Sequence, residues 1–277
     1  MKQLLSSSPK IIIFVIVALF LPSLLLAQPI WVGHSLDNTV SLEIFKPDFE
    51  DINGSDNTTF LTSAIFLSLR LPIAERILFV ADLPFVHAGL DFRTRANVSE
   101  SMIGNPYLGL EFRRRDFPVF TEIGVRVPLA PDKFFPSRVG IFSDFDRLEA
   151  FLPDVVSISG MVNFKPELIR HLFLRLRTGP SLLINTDDAN DSELYLVYSA
   201  VLTYEGERFG LRGGFTGRLI FTEEGDIGER TFLEFGLTAS LTLGNVRPGG
   251  HFRLPLEDDL SEVLDFVFGI NLGIQIK

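Results

Sequence analysis

The chain has 277 residues, 35 of them acidic and 25 basic, and a formal net charge of −10. That balance argues against a nucleic-acid partner. The absence of Cys excludes disulfides, thiolate metal sites and a cysteine nucleophile. Aromatics are unusual in kind, with 27 Phe against 4 Tyr and 1 Trp. Phe suits strands and apolar surfaces, because its ring carries no polar group that needs a partner.

Lys2 and Lys10 flank a polar stretch, Ile11 to Leu26 is almost wholly apolar, and Ala27 precedes Gln28. This is the layout of a secretory signal peptide over residues 1–27. Leu25 stands where a small residue is preferred, and an uncleaved anchor is the rival reading of a segment this long. Cleavage removes two Lys and no acid, so the net charge moves from −10 to −12. No other stretch is apolar for the length of a spanning helix. A mature domain over residues 28–277 that enters a membrane must therefore do so as a barrel.

From residue 38 onward the chain alternates with a period of two. Leu61, Ile65, Leu67, Leu69 and Leu71 oppose Thr62, Ala64, Ser68 and Arg70, and Leu172, Leu174 and Leu176 oppose Arg175 and Arg177. Leu211, Phe215 and Leu219 oppose Arg212, Thr216 and Arg218. In the last segment seven apolar residues from Leu264 to Ile276 hold every second position. Such runs are strands with one greasy and one small or polar face. They fall near 38–45, 59–71, 77–88, 103–113, 118–128, 154–164, 171–184, 193–204, 209–221, 230–243, 250–256 and 263–276. The eleventh is short, so ten strands is the alternative count. Twelve is even, as bacterial outer-membrane barrels require, and most runs are long enough to cross a bilayer when tilted.

The connections alternate as well. Residues 71–76, 113–118, 165–170, 205–208 and 244–250 are short and often basic. The other set is mostly longer and carries acids, among them Asp48, Glu50, Asp187, Asp188, Glu223, Glu224, Asp258 and Asp259. Short periplasmic turns and longer outer loops are the pattern of a transmembrane up-and-down barrel, with both termini in the periplasm. A soluble barrel also alternates, but its outer face is rich in Lys and Glu. Here the less apolar face holds Gly, Ser, Thr, Asn and isolated charges. The large Leu, Ile and Phe faces then point to lipid, because an Arg facing mid-membrane costs roughly 2–4 kcal/mol. The expected location is the bacterial outer membrane, with outer-membrane lipid and the barrel-assembly machinery as partners.

With the apolar faces outward, the inner face carries Arg70, Arg113, Arg126, Arg175, Arg177, Arg212, Arg218 and Arg253, together with Asp82, Glu111, Glu122, Glu234 and Asp265. These residues either line a channel selective for small solutes, anions among them, or pair across a narrow lumen and fill it. Residues 129–153 contain Phe134, Phe135, Phe142, Phe145 and Phe151 and are too apolar for a solvated loop. They fold inward as a constriction, bind a hydrophobic ligand at the outer mouth, or pack on the rim.

Chemistry is sparse. Some twelve-stranded outer-membrane barrels are phospholipases with a Ser and a His close together on the wall, but no His-x-Ser stands here. His34 and Ser35 point to opposite faces of a strand, and His87 and His171 lie near strand ends. The acidic pairs lack the spacing of a calcium loop. The expectation is a non-enzyme without metal or cofactor.

The run Gly104-Asn105-Pro106-Tyr107-Leu108-Gly109-Leu110-Glu111-Phe112, after Leu83-Pro84-Phe85, resembles a family of bacterial outer-membrane proteins described as transporters or as members of a phenol-degradation pathway. Residues Glu122 to Leu129 extend the resemblance. It implies a monomeric outer-membrane barrel that passes small solutes, aromatic compounds among them.

Overall fold

The computed structural model describes residues 38–49, 56–92, 98–114, 117–187 and 191–276. The leader at 1–27, His34, Glu50 and Asp188 lie outside these residues. Among the described residues fifteen strands form one sheet. They are β1 (Thr39–Phe49), β2 (Asp56–Thr58), β3 (Ser63–Ala74), β4 (Ile77–Phe92), β5 (Val98–Ile103), β6 (Tyr107–Arg113), β7 (Val119–Arg126) and β8 (Val155–Phe164). After them come β9 (Glu167–Ile169), β10 (Leu172–Asn185), β11 (Glu193–Glu205), β12 (Phe209–Ile220), β13 (Thr231–Leu241), β14 (Val246–Pro255) and β15 (Leu264–Gln275).

Setting aside the short β2, β5 and β9, twelve strands form an antiparallel ring in chain order. β10 pairs with β11, and β15 returns to β1 to close it. An even number of strands puts both ends of the barrel chain, and every short turn, at one end. That end faces the periplasm in outer-membrane barrels.

The register keeps each face uniform. Leu272 opposes Leu42, Leu42 opposes Leu67 and Leu67 opposes Leu83, so a hoop of leucines runs across four neighbouring strands. It belongs to an exposed apolar belt that continues through Leu108, Ile123, Ile158, Leu176, Leu202, Phe215 and Leu237. The opposite face is buried and polar, with Ser41, Glu43, Ser68, Asp82, Ser159, Arg177, Ser199, Thr216, Arg218 and Arg253 turned into the ring. Apolar outside and polar inside is the reverse of a soluble barrel, and it is what lipid on one side of a wall selects. No helix among the described residues is long and apolar enough to cross a membrane.

Two strands differ from the sequence expectation for identifiable reasons. The run expected at 103–113 is broken: β5 and β6 both pair with β4, and residues 104–106 step away between them. A Cβ on Gly104 would lie 2.2 Å from the Ala150 carbonyl, so another segment presses on the wall there. The eleventh run begins four residues earlier than its turn-like Pro248-Gly249-Gly250 suggested. The actual turn is tighter, with Gly244 at a φ of +62° between Leu243 and Val246. Positive φ is a conformation that glycine adopts without strain.

Candidate functional site: a lumen occupied by the segment between β7 and β8

The connection from β7 to β8 turns into the barrel. It forms helix α1 (Phe134–Ser143) and a 3-10 turn (Phe145–Ala150). Its apolar side faces the outer half of the lumen. Phe151 is fully buried with its ring 5.5 Å from that of Phe66, which lies 6.0 Å from Phe45. Phe145 stacks on Phe232 at 6.1 Å and meets Phe142 edge-on at 5.6 Å. Phe135 and Phe142 are partly buried against this cluster, whereas Phe134 stays outside, 71 % exposed. Gly140 is required at its position, because a Cβ there would meet the Phe151 ring at 2.3 Å.

Asn105 fastens the segment at both ends. Its amide nitrogen donates to the carbonyls of Glu149 (3.0 Å) and Leu152 (2.7 Å), and its side-chain oxygen accepts from the backbone N–H of Leu129 and Ala130, each at 2.8 Å. The Asn105 N–H also donates to the Ala150 carbonyl at 2.7 Å.

Below the aromatic cluster the segment presents four charged side chains to the wall. Asp144 accepts from Arg253 of β14 at 2.7 Å and from Arg147 at 2.6 Å. Asp146 accepts from Arg177 of β10 and from the Thr216 hydroxyl of β12 at 3.1 Å. Glu149 accepts from Arg218 of β12 at 2.7 Å, with Arg126 of β7 at 3.8 Å. Arg147 donates to Glu43 of β1 at 3.0 Å and lies over the Phe66 ring, 3.6 Å from its centroid. The segment thus puts acids against arginines of β10, β12 and β14, and an arginine against the acid of β1. Burial alone would push the carboxyls of Asp144 and Asp146 up. Arg147 and Arg253 beside the first, and Arg177 and Arg218 beside the second, outweigh that and hold both below the usual carboxylate range.

The inner-face residues expected from alternation take the following positions. Arg70 pairs with Glu111 at 2.8 Å. Asp82 accepts from Arg126 at 3.1 Å and from Ser68 at 3.0 Å. Glu122 accepts from the Tyr107 hydroxyl at 2.6 Å. Arg175 is buried and donates twice to the Asn163 side chain, at 2.8 and 3.1 Å. Arg212 lies 3.5 Å from Glu205, and Glu234 lies 3.6 Å from Arg253. Arg113 is half-buried at the end of β6, near the periplasmic turn. Asp265 departs from the expectation and is exposed. A register shift between Asp48 and Phe49 turns the buried Leu264 inward in its place.

Under the charged layer lies a cavity of about 60 Å³. Five arginines (Arg70, Arg126, Arg147, Arg177, Arg218) and three acids (Asp82, Asp146, Glu149) line it, beside Tyr107, Met161, Val197 and several serines. Sequence alternation does not reach Asp144, Asp146, Arg147 and Glu149, which sit on no strand, nor the anchoring role of Asn105. One signal was present: four charges within six residues of a Phe-rich stretch, where burial demands partners.

The fold also joins a Ser–His pair that no sequence motif announces. His87 Nδ1 and Ser101 Oγ lie 2.8 Å apart across β4 and β5, on the outer side of the wall. The other ring nitrogen meets the Ser99 hydroxyl at 3.3 Å and not a carboxylate. The pair therefore lacks the acidic partner that orients a catalytic imidazole.

No family model matches the chain, and no curated protein matches it. Solved structures do. An outer-membrane channel from Pseudomonas putida F1 superposes with a TM-score of 0.63 at 10% identity, over 90% of this chain and 99% of that one. The NanC porin gives 0.55 at 8% identity, over 86% and 100% of the two chains. The translocator domain of the autotransporter NalP from Neisseria meningitidis gives 0.52 at 11% identity, over 88% and 90%. At these identities the likeness establishes the fold, a bacterial outer-membrane β-barrel.

Proposed function

We propose that the chain, exported behind the leader at 1–27, is a bacterial outer-membrane channel for small solutes whose path is set by the inserted segment between β7 and β8. One observation carries this reading. The element that fills the lumen is a connection and not part of the wall, and it closes over a charged cavity of about 60 Å³. It can withdraw without breaking any strand pairing. The channel and porin among the structural neighbours support the same reading. The arginines around the cavity favour small anions, and the sequence resemblance extends the candidate solutes to small aromatic compounds. Surrounding lipid and the assembly machinery are the partners such a barrel uses.

A closed structural barrel is the second reading, favoured by the packing of Phe151, Phe66 and Phe45 across the lumen. Planar-bilayer recording of the refolded protein separates the two, with selectivity read from the reversal potential in a salt gradient. Discrete steps, enlarged when residues 133–150 are replaced by a short Gly-Ser linker, support the channel. A membrane-inserted protein that stays silent in both forms establishes the structural reading.

A further inference from the structure

Asp146 and Glu149 are held by neighbouring arginines, Arg177 and Arg218, whose guanidinium groups project from β10 and β12. Arg218 also donates to the Asp146 carbonyl at 2.6 Å, so one side chain grips the segment twice through a single nitrogen. Its Nε and Nη1 are buried with no hydrogen-bond partner, although the residue borders the cavity. The Arg147 Nη2 is in the same condition on the same cavity. Buried donors left unmet cost free energy, and guanidinium forks match carboxylates two bonds at a time.

We infer that Arg177 and Arg218 form a binding site for solutes bearing two carboxylates, and that Asp146 and Glu149 occupy that site as an internal stand-in for the solute. This inference rests on the channel reading only in placing the solute on its way through the lumen. The unmet Arg218 and Arg147 nitrogens lie on the wall of the adjoining cavity, and a dicarboxylate that displaces Asp146 and Glu149 takes the space their carboxylates leave. A segment tethered at both ends competes at an effective concentration on the order of millimolar. A solute must exceed that competition to enter, and on entering it releases the segment from β10 and β12. A single carboxylate replaces only one of the two contacts and competes poorly.

The test is calorimetric titration of succinate into the full-length protein refolded in detergent, with acetate at matched ionic strength as the comparison. Folding is checked by heat-modifiable migration on gels. The wild type should bind succinate weakly and acetate more weakly still. Asp146→Asn with Glu149→Gln should bind succinate about tenfold tighter, because the competitor has lost its charges. Adding Arg218→Ala should abolish the gain. If the double variant does not fold, Glu149→Gln alone should give a smaller gain in the same direction. Succinate binding that is unchanged or weaker in the variants, or no stronger than acetate binding, would overturn the inference. Calorimetry needs no open pore, so tighter succinate binding by the double variant, with the native and linker forms both silent in bilayers, would sink the channel reading and leave this site standing.

Discussion

The Asn105 side chain donates a 3.0 Å hydrogen bond to the carbonyl of Glu149, which ties the break between β5 and β6 to the 3-10 turn of the inserted segment. Three further bonds from the same side chain reach Leu129, Ala130 and Leu152, so one amide holds the entry and the exit of the segment together. No other residue type of this size offers two donors and an acceptor oxygen with two lone pairs.

Replacing Asn105 by Ala should therefore free the segment while leaving the barrel closed. Each buried backbone group left unmet costs about 1–3 kcal/mol, enough to shift a docked loop towards release. Trypsin should then cut after Arg147, which is buried in the native protein, and single-channel conductance should rise. Resistance at Arg147 together with unchanged conductance would show that the ion pairs alone retain the segment.

Acid should release the segment only at low pH. Asp144 and Asp146 have folded pKa values below their ordinary ones. The docking free energy they supply is fully present above the ordinary aspartate value of about 3.9 and is lost as pH falls through the lower folded values. Conductance attributable to these two groups should stay flat from pH 7 to 5 and increase below 3. A rise already complete at pH 5 would assign the hold to other residues.

Arg175→Ala with Arg177→Ala should lower anion preference and raise conductance, because Arg177 holds Asp146 while both arginines sit inside the ring. The reversal potential in a KCl gradient should move towards that of a cation-preferring pore. If neither quantity changes, these arginines do not govern the path.

On the outer face the penalty is set by lipid. Leu202→Arg places a charge in the exposed apolar belt and should reduce the free energy of folding into vesicles by roughly 2–4 kcal/mol. Leu202→Ala should cost far less. Equal losses in urea titrations of the two variants would mean that this belt does not face hydrocarbon.

Much of the architecture can be read from local pattern. Leu42, Leu67, Leu202 and Phe268 point outward because strand side chains alternate, and a one-residue slip would carry Arg175 and Arg177 into lipid. Twelve runs with short and long connections in turn imply an even, closed ring. Where the pattern misleads, the cause is local chemistry under tertiary load. Pro248-Gly249-Gly250 resembles a turn yet pairs within β14, and Asp265 lies beyond a register shift that alternation cannot foresee.

The barrel, its greasy exterior and the set of charges available to its interior follow from the residue pattern, because period-two alternation against a hydrocarbon solvent admits one orientation of each strand. What those charges hold is set by contacts made across the folded ring. Arg253 meets Asp144 from 109 residues away and Arg218 meets Glu149 from 69. No periodicity links a strand to an irregular connection. Their meeting follows from closure of the ring, which sets β10, β12, β14 and β1 around one lumen, and from the aromatic cluster that draws the segment inside.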